Sequence, residues 1–378
     1  MSDGDAWDRE MVGLLKAGIS RYAADAYDFA SRAAKLADYP AVSAAWRDYA
    51  ELGWLAIPLP ADEGGFASDP SIVGALMHFA GAHLALEPLF ASLVLCGRAL
   101  ALADDARGGE WLGRIASGEA IFALAHAEAV GPGLVESISC RLSAGKITGS
   151  KVMVLGGDVA SHLIVSARDD DADGVTLLVV AADAPGVTRT AYRLLDGRGA
   201  ASFEFAEAAG EPLGSAGGGA PLLDRVFEEA RLALCHEILG VMESLNGQTL
   251  DYLKTRQQFG KPIGKNQALQ HRMVELFVLE TEVRAMIAAA IRLWNGPADE
   301  RRRSICASLT YAIGAGRRVA QEAVQMHGGM GITHELAVSH GFRRMMVLER
   351  LLGSREDNLA AFEQADRLCL ASGDREHG

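Results

Sequence analysis

No two of the five cysteines stand in a Cys-x-x-Cys pair, and none joins histidines in a zinc-binding spacing. Cys96, Cys140, Cys235, Cys306 and Cys369 are scattered and odd in number. That pattern predicts the reduced thiols of a cytoplasmic protein and no metal site. Basic charge is in deficit, with 36 Lys and Arg against 49 Asp and Glu and a net charge of −13. An acidic surface repels phosphate backbones, so nucleic acid is not an expected partner. A buried anionic cofactor is not excluded, because local arginines and helix N-termini can hold one. No run of about 18 apolar residues occurs, which predicts no membrane span. Met1 to Lys16 carries acids early and no basic segment leading into an apolar one, so no signal peptide is expected. No internal repeat is evident.

What is present is an apolar content of 49% over 378 residues, enough for a large core in two or three domains. Residues 1–118 are rich in Ala and Leu, and Trp46 to Leu55 and Ser71 to Ala85 have helical apolar spacing. Between them 57–70 concentrates Pro, Gly and Asp and predicts a long loop. Residues 119–220 alternate polar and apolar. They predict a hairpin over 141–155 and strands over 161–168, 174–183 and 200–208, with a flexible Gly-rich connector at 214–221. From 221 to 378 helical spacing returns. One helix is expected over 225–240. Another over 268–294 carries Leu269, Met273, Leu276, Phe277, Val283, Ile287, Ile291 and Trp294, and a third runs from Glu300 to His327. Helices, then strands, then long helices predict an α+β fold: an N-terminal all-α domain, a middle β-barrel-like domain and a C-terminal four-helix bundle.

Three segments carry candidate chemistry. In 252–270, Arg256 and Phe259-Gly260 end one helical pattern and Gln267 opens the next, with Pro262 and Gly264 making a corner. An Arg there, beside a helix N-terminus, suits a diphosphate, although an ordinary helix hairpin with a solvated Arg has the same spacing. In 323–333, Gly328 and Gly329 follow a helix. They read either as a C-cap or as side-chain-free backbone that lets a cofactor approach, with Gln325 offering an amide. No strand precedes them, so they are not a Rossmann fingerprint. In 225–240, Glu228, Glu229 and Arg231 sit near the expected start of a helix, where acids favour the dipole.

Taken in order, LGWLAIPLPADEGGFA, a β region, RQQFGKPIGKNQ and QMHGGMGIT resemble the acyl-CoA dehydrogenase family over nearly the whole chain. The stretch 252–272 and the AHAE of 125–128 are similar to the small subunit of pimeloyl-CoA dehydrogenase. The resemblance implies FAD between the middle domain and the bundle, with its adenosine diphosphate end reaching a neighbouring subunit. Arg256 would hold the pyrophosphate, with Phe259 and Gln267 beside the nucleotide. Gln325, Gly328 and Gly329 would contact it from the partner. It also implies α,β-dehydrogenation of an acyl-CoA thioester, electron delivery to an electron-transferring flavoprotein, and a homo- or hetero-oligomer, dimer or tetramer.

The sequence departs from the family at the base. The family's Tyr-Glu-Gly-Thr stretch is Leu351-Leu352-Gly353-Ser354, with Leu352 in place of the Glu. The alternative base position, just before Arg231, is Ala230; Glu229 is its neighbour and the first-ranked candidate base, and Glu349 lies three residues before Leu352. The flavin-facing Thr-Glu-Pro becomes His126-Ala127-Glu128, and Trp-Ile-Thr becomes Met153-Val154-Leu155. His126 is either a replacement hydrogen-bond donor to the flavin or a core histidine. Three functions remain open: an FAD-dependent dehydrogenase, a structural subunit that gives half of an FAD site to a catalytic partner, and a flavin monooxygenase on the same fold.

Overall fold

The structure is a computed structural model that describes residues 3–37, 42–66, 68–103, 105–128 and 138–373. The first third of the chain is helical: α1 (Asp3–Ala26), α2 (Phe29–Ala37), α3 (Val42–Glu51), α4 (Pro70–Ala82), α5 (Arg98–Leu102) and α6 (Ala106–Ala116). Helix α3 stops four residues short of the expected Leu55, because Gly53 turns left-handed at φ 73°. Among the described residues, 57–69 is a loop as read, with a 3-10 turn at Ala61–Glu63, and Pro70 already opens α4. Phe90–Gly97 forms a π-helical stretch whose eight residues are all buried. Its uniform apolarity carries no 3.6-residue rhythm, so spacing did not reveal it.

Backbone contacts group the chain into two compact units, one of 32–73 and 86–230, the other of 1–31, 74–85 and 231–378. The first unit holds an eight-stranded sheet: β1 (Phe122–Ala125), β2 (Arg141–Ser143), β3 (Lys146–Leu155), β4 (His162–Asp169), β5 (Val175–Ala181), β6 (Val187–Arg193), β7 (Gly199–Ala209) and β8 (Glu211–Leu213). Their order is β6-β7-β3-β2-β4-β5-β8, with β1 also on β4. β1 and β2 pair parallel to successive parts of β4, while β5 pairs antiparallel along nearly all of it. The expected hairpin is β2–β3, turned by Ala144 and Gly145 at φ 48° and 74°, the left-handed pair that a two-residue hairpin demands. The connector after β8 is pinned rather than flexible. Gly217 N–H donates to Thr176 Oγ1 at 2.8 Å, and Gly218 bridges Val175.

The second unit is built on α7 (Gly219–Thr255), α8 (Gln267–Arg292), α9 (Ala298–His327), α10 (Ala337–Leu348) and α11 (Arg355–Gly373), with only α7 reaching back into the first unit. Helix α9 packs on α8, α10 and α11. The small residues Gly316 and Gly341 let neighbours come close: a Cβ on Gly316 would meet Met345 and Ile238 at under 3 Å. Helix α7 begins six residues before Arg225, so Glu228 and Glu229 lie in its third turn. The expected helix-end role for these acids is therefore replaced by burial and pairing. On α8, Met273, Leu276, Val283 and Ile287 face the core as expected, but Phe277 is 39% exposed and belongs to a second apolar stripe.

Candidate active site

The corner between α7 and α8 is more elaborate than a helix hairpin. After Thr255, β9 (Gln257–Gln258) and β10 (Lys261–Pro262) form a miniature hairpin with Phe259 and Gly260 at its tip, at φ 51° and 74°. Phe259 is 99% exposed there. Asn266 caps α8 by accepting from Ala268 N–H, so Gln267 sits in the first turn. Arg256 is exposed, and its carbonyl accepts from Ile263 N–H at 2.9 Å. Tyr252, one turn before Arg256, stacks on His327 at 4.3 Å between ring centroids, and its hydroxyl donates to the His327 carbonyl at 3.4 Å. That contact brings the corner alongside the end of α9, where Gln325, Gly328 and Gly329 are exposed.

The two glycines differ. Gly328 takes φ 61° and ψ −143°, a conformation open only to glycine. Gly329 has no left-handed φ, and a Cβ added there would meet nothing within 4 Å. Neither its own backbone nor packing within this chain requires a glycine at 329. Gly329 thus leaves bare, exposed backbone in the same unit as the exposed Arg256.

Within the first unit, the Glu229 carboxylate accepts from Arg98 Nε at 2.6 Å and Nη2 at 3.1 Å, and from Arg225 Nε at 2.6 Å. It is 6% exposed, and Glu228 beside it is 3% exposed and pairs with Arg225 at 3.4 Å. To accept a proton, Glu229 would have to give up charge-assisted bonds to two guanidinium groups. Arg225 also lines a cavity of about 330 Å³ with Leu102, Gly214, Ser215 and Leu222, so a ligand there would meet the same ion-pair cluster.

The turn at 351–354 lies in the second unit. Leu352 and Gly353 take φ 56° and 95°. A left-handed leucine costs about 1 kcal/mol. Asn358, 1% exposed, holds it there: Nδ2 donates to the carbonyls of Leu352 and Gly353 at 3.3 Å and of Ser354 at 2.9 Å. Arg231 Nε in turn donates to Asn358 Oδ1 at 2.9 Å. The support of the turn is complete, and a leucine occupies its tip. Glu349 is engaged as well, accepting from Arg317 Nε at 2.7 Å.

His126 closes β1. Its Nδ1 lies 2.9 Å from Ser166 Oγ, its ring lies 5.2 Å from Phe227, and it is 6% exposed. Below it lies Lys151, a fully buried lysine that pattern reading missed inside the β3 alternation. Lys151 Nζ donates to Glu128 Oε1 at 2.8 Å, the His126 carbonyl at 3.0 Å and Ser166 Oγ at 3.2 Å. Burial pulls the Lys151 ammonium down and the bond to Glu128 opposes it. Burial would raise Glu128, but donors from Lys151, Ser139 and Cys140 outweigh it and bring the carboxyl to about 2. On the same strand, β3 bulges between Lys151 and Val154, which puts Met153 at φ 54°. The Met153 N–H freed by the bulge donates to the Tyr192 hydroxyl at 3.0 Å. Neither Tyr192 nor Asn358 carried a sequence signal, because each acts through contacts distant in the chain.

A β unit followed in the same chain by a unit of long helices, with exposed Arg256, Gln325, Gly328 and Gly329 in the second, is the arrangement to set beside known proteins. Residues 217–362 match the family model for the acyl-CoA dehydrogenase C-terminal domain. The acyl-CoA dehydrogenase FadE27 of Mycobacterium tuberculosis is 28% identical over 327 residues, 83% of this chain and 85% of that protein. The mitochondrial 2-methylacyl-CoA dehydrogenase of Solanum tuberosum is 29% identical over 262 residues, 65% of this chain, and the match spans 63% of that relative's length. The solved ChsE4–ChsE5 complex of Mycobacterium tuberculosis superimposes at a TM-score of 0.82 with 24% identity, over 93% of this chain and 96% of that one. The chain is thus similar to acyl-CoA dehydrogenases, through its C-terminal domain above all, and has the fold of the solved complex. Among the described residues, no helix is long and apolar enough to cross a membrane.

Proposed function

We propose that the chain is a subunit of an FAD-dependent acyl-CoA dehydrogenase that works as a cytoplasmic oligomer and takes its catalytic base from another chain. The observation that carries this reading is the turn at 352–354, fully supported by Asn358 and Arg231 yet tipped by a side chain that cannot accept a proton. Glu229 and Glu349 are both tied to arginines.

When bound, FAD supplies the hydride acceptor. Arg256 would hold the diphosphate, with Phe259 and Gln267 beside the nucleotide, while Gln325, Gly328 and Gly329 would reach the nucleotide of a neighbouring subunit, the glycines leaving room for its close approach. His126 donates to the flavin end. Abstraction of the weakly acidic α-proton needs a carboxylate and a polarised thioester oxygen, and the carboxylate comes from the partner. Electrons leave to an electron-transferring flavoprotein.

Anaerobic titration with acyl-CoA thioesters tests this. The chain purified alone should not bleach a flavin band, whereas the natively purified complex should. Arg256→Ala in this chain should lower flavin occupancy of the complex by about tenfold, the scale of one charge-assisted contact. Bleaching by the chain alone would overturn the reading.

A second reading places the base at Glu229, favoured by its burial next to the position that some relatives use. It requires Arg98 or Arg225 to release the carboxylate during turnover. Under it, Glu229→Gln should abolish bleaching while leaving flavin bound; undiminished bleaching removes Glu229 as base.

A further inference from the structure

Helix α9 ends in a histidine whose ring hydrogen can be placed. His327 Nδ1 lies 2.8 Å from the carbonyl oxygen of Ala323, one turn back along the helix. A carbonyl only accepts, so Nδ1 carries a hydrogen. Burial pulls the imidazole below its ordinary value, against the weaker opposing effect of the Ala323 bond, so the ring at neutral pH is the uncharged one. An uncharged imidazole has one N–H, and Nδ1 holds it. Nε2 is left as a bare lone pair.

The surroundings fix where that lone pair faces. The two nitrogens lie on opposite sides of the ring. With Nδ1 turned back down α9, Nε2 faces past the end of the helix, where Gly328 begins the turn at φ 61°. Tyr252 of α7 covers one face of the ring, its centroid 4.3 Å away at 25°. The Tyr252 hydroxyl donates to the His327 carbonyl at 3.4 Å, so it is not a donor to Nε2. Among the described residues no group donates to Nε2, although His327 is only 5% exposed. A buried acceptor without a donor is costly, and this one is held in a single orientation by a backbone bond and a stacked ring. It lies two residues from the bare backbone of Gly329, and Tyr252 stands one turn before the exposed Arg256. A nucleotide carries the matching groups: negative phosphates, and N–H or O–H donors on its nucleoside.

We infer that His327 is a further cofactor-binding residue, its Nε2 accepting a hydrogen bond from the adenosine end of a dinucleotide that lies against Gly328 and Gly329. The donor is either the exocyclic amine of adenine or a ribose hydroxyl. Ala323 and Tyr252 are positioning residues, the first setting the tautomer and the second the plane of the ring. The identity of the ligand rests on the function proposed above; the tautomer does not.

The test has two parts. Nitrogen NMR of the full chain without flavin should show a neutral His327 with its proton on Nδ1; a proton on Nε2 overturns the inference. The natively purified complex is then stripped and reloaded with FAD, with its hypoxanthine analogue, which has a carbonyl where adenine has its amine, or with forms made on 2′- or 3′-deoxyadenosine. Wild type should hold FAD about tenfold more tightly than one of these analogues, and the weak analogue identifies the donor. His327→Phe keeps a ring against Tyr252 and should erase that preference. His327→Gln, whose amide oxygen accepts, should keep part of it. A merely structural histidine would change the binding of FAD and of all the analogues alike. A wild-type complex without a preference, or a His327→Phe complex that retains one, sinks this contact and leaves the flavin site standing. A wild-type complex that takes up no FAD at all takes down the functional reading with it.

Discussion

At the residue scale, unpaired and over-paired acids behave in opposite ways. Asp158 follows the paired glycines Gly156-Gly157 at the end of β3, and its Oδ1 has no hydrogen-bond partner among the described residues. Burial raises its carboxyl to about 6, against the weaker pull of nearby backbone N–H groups and of Arg189 and Arg193. A carboxyl raised in the folded state stabilises the fold fully below the unfolded value near 3.8. That contribution is lost as pH rises through about 6, when the buried group must ionise. Asp158→Asn should therefore stabilise the protein at pH 8 by roughly 1–2 kcal/mol, with solvent screening allowed for. The gain should vanish by pH 4, and paired thermal melts at the two pH values check it. Glu128 has the opposite sign: its folded value of about 2 lies below 4.5, so its contribution is present above 4.5 and fades as pH falls toward 2. Single residues were also the least legible part of the sequence. Arg256, Phe259 and Gly328–Gly329 were singled out through a linear motif, and all of them lie in short exposed turns. Lys151 and Asn358 were not, because a buried polar residue reads from sequence like any other polar position in a strand or helix.

At the scale of elements, the strands with clean alternation were visible and the others were not. β2–β3 showed as a hairpin because Ala144-Gly145 interrupts two alternating runs. β6 was missed because Thr188, Arg189, Thr190 and Tyr192 lie on an edge strand with most positions open to solvent, where burial imposes no apolar face. The start of α11 was equally silent, although Ser354 and Asp357 form a reciprocal cap there, Ser354 N–H donating to Asp357 at 2.8 Å and Asp357 N–H to Ser354 at 3.2 Å. Asn358 sits one residue further and ties that cap to the left-handed turn. Asn358→Ala would leave three carbonyls and the Arg231 guanidinium short of a partner, so about 2–4 kcal/mol of stability should be lost. A urea midpoint within error of wild type would mean that the turn stands without its asparagine.

At the scale of the whole molecule, the second unit leaves an apolar stripe uncovered in the isolated chain. Val274, Phe277 and Val278 on α8 are 61%, 39% and 50% exposed, and Thr281 and Ala285 continue their face one and two turns on. Phe259, Met330 and Ile332, from the segments proposed to hold the nucleotide, are 99%, 42% and 69% exposed. Apolar groups of this size gathered in one unit mark an interface more often than a bare surface. The proposed oligomer explains them, because a partner laid on α8 would both cover the stripe and complete the cradle. Val278→Glu places a charge within that contact, where it would lose its water without gaining a counter-ion. The helix itself should survive, since residue 278 faces away from the core side of α8 and Glu is a good helix former. Light scattering should therefore report a smaller assembly and circular dichroism an unchanged helix content. Flavin should leave together with the lost partner, because a cradle shared between chains cannot retain a dinucleotide on one of them. A full-sized oligomer that keeps its flavin would place the partner on some other face of the bundle.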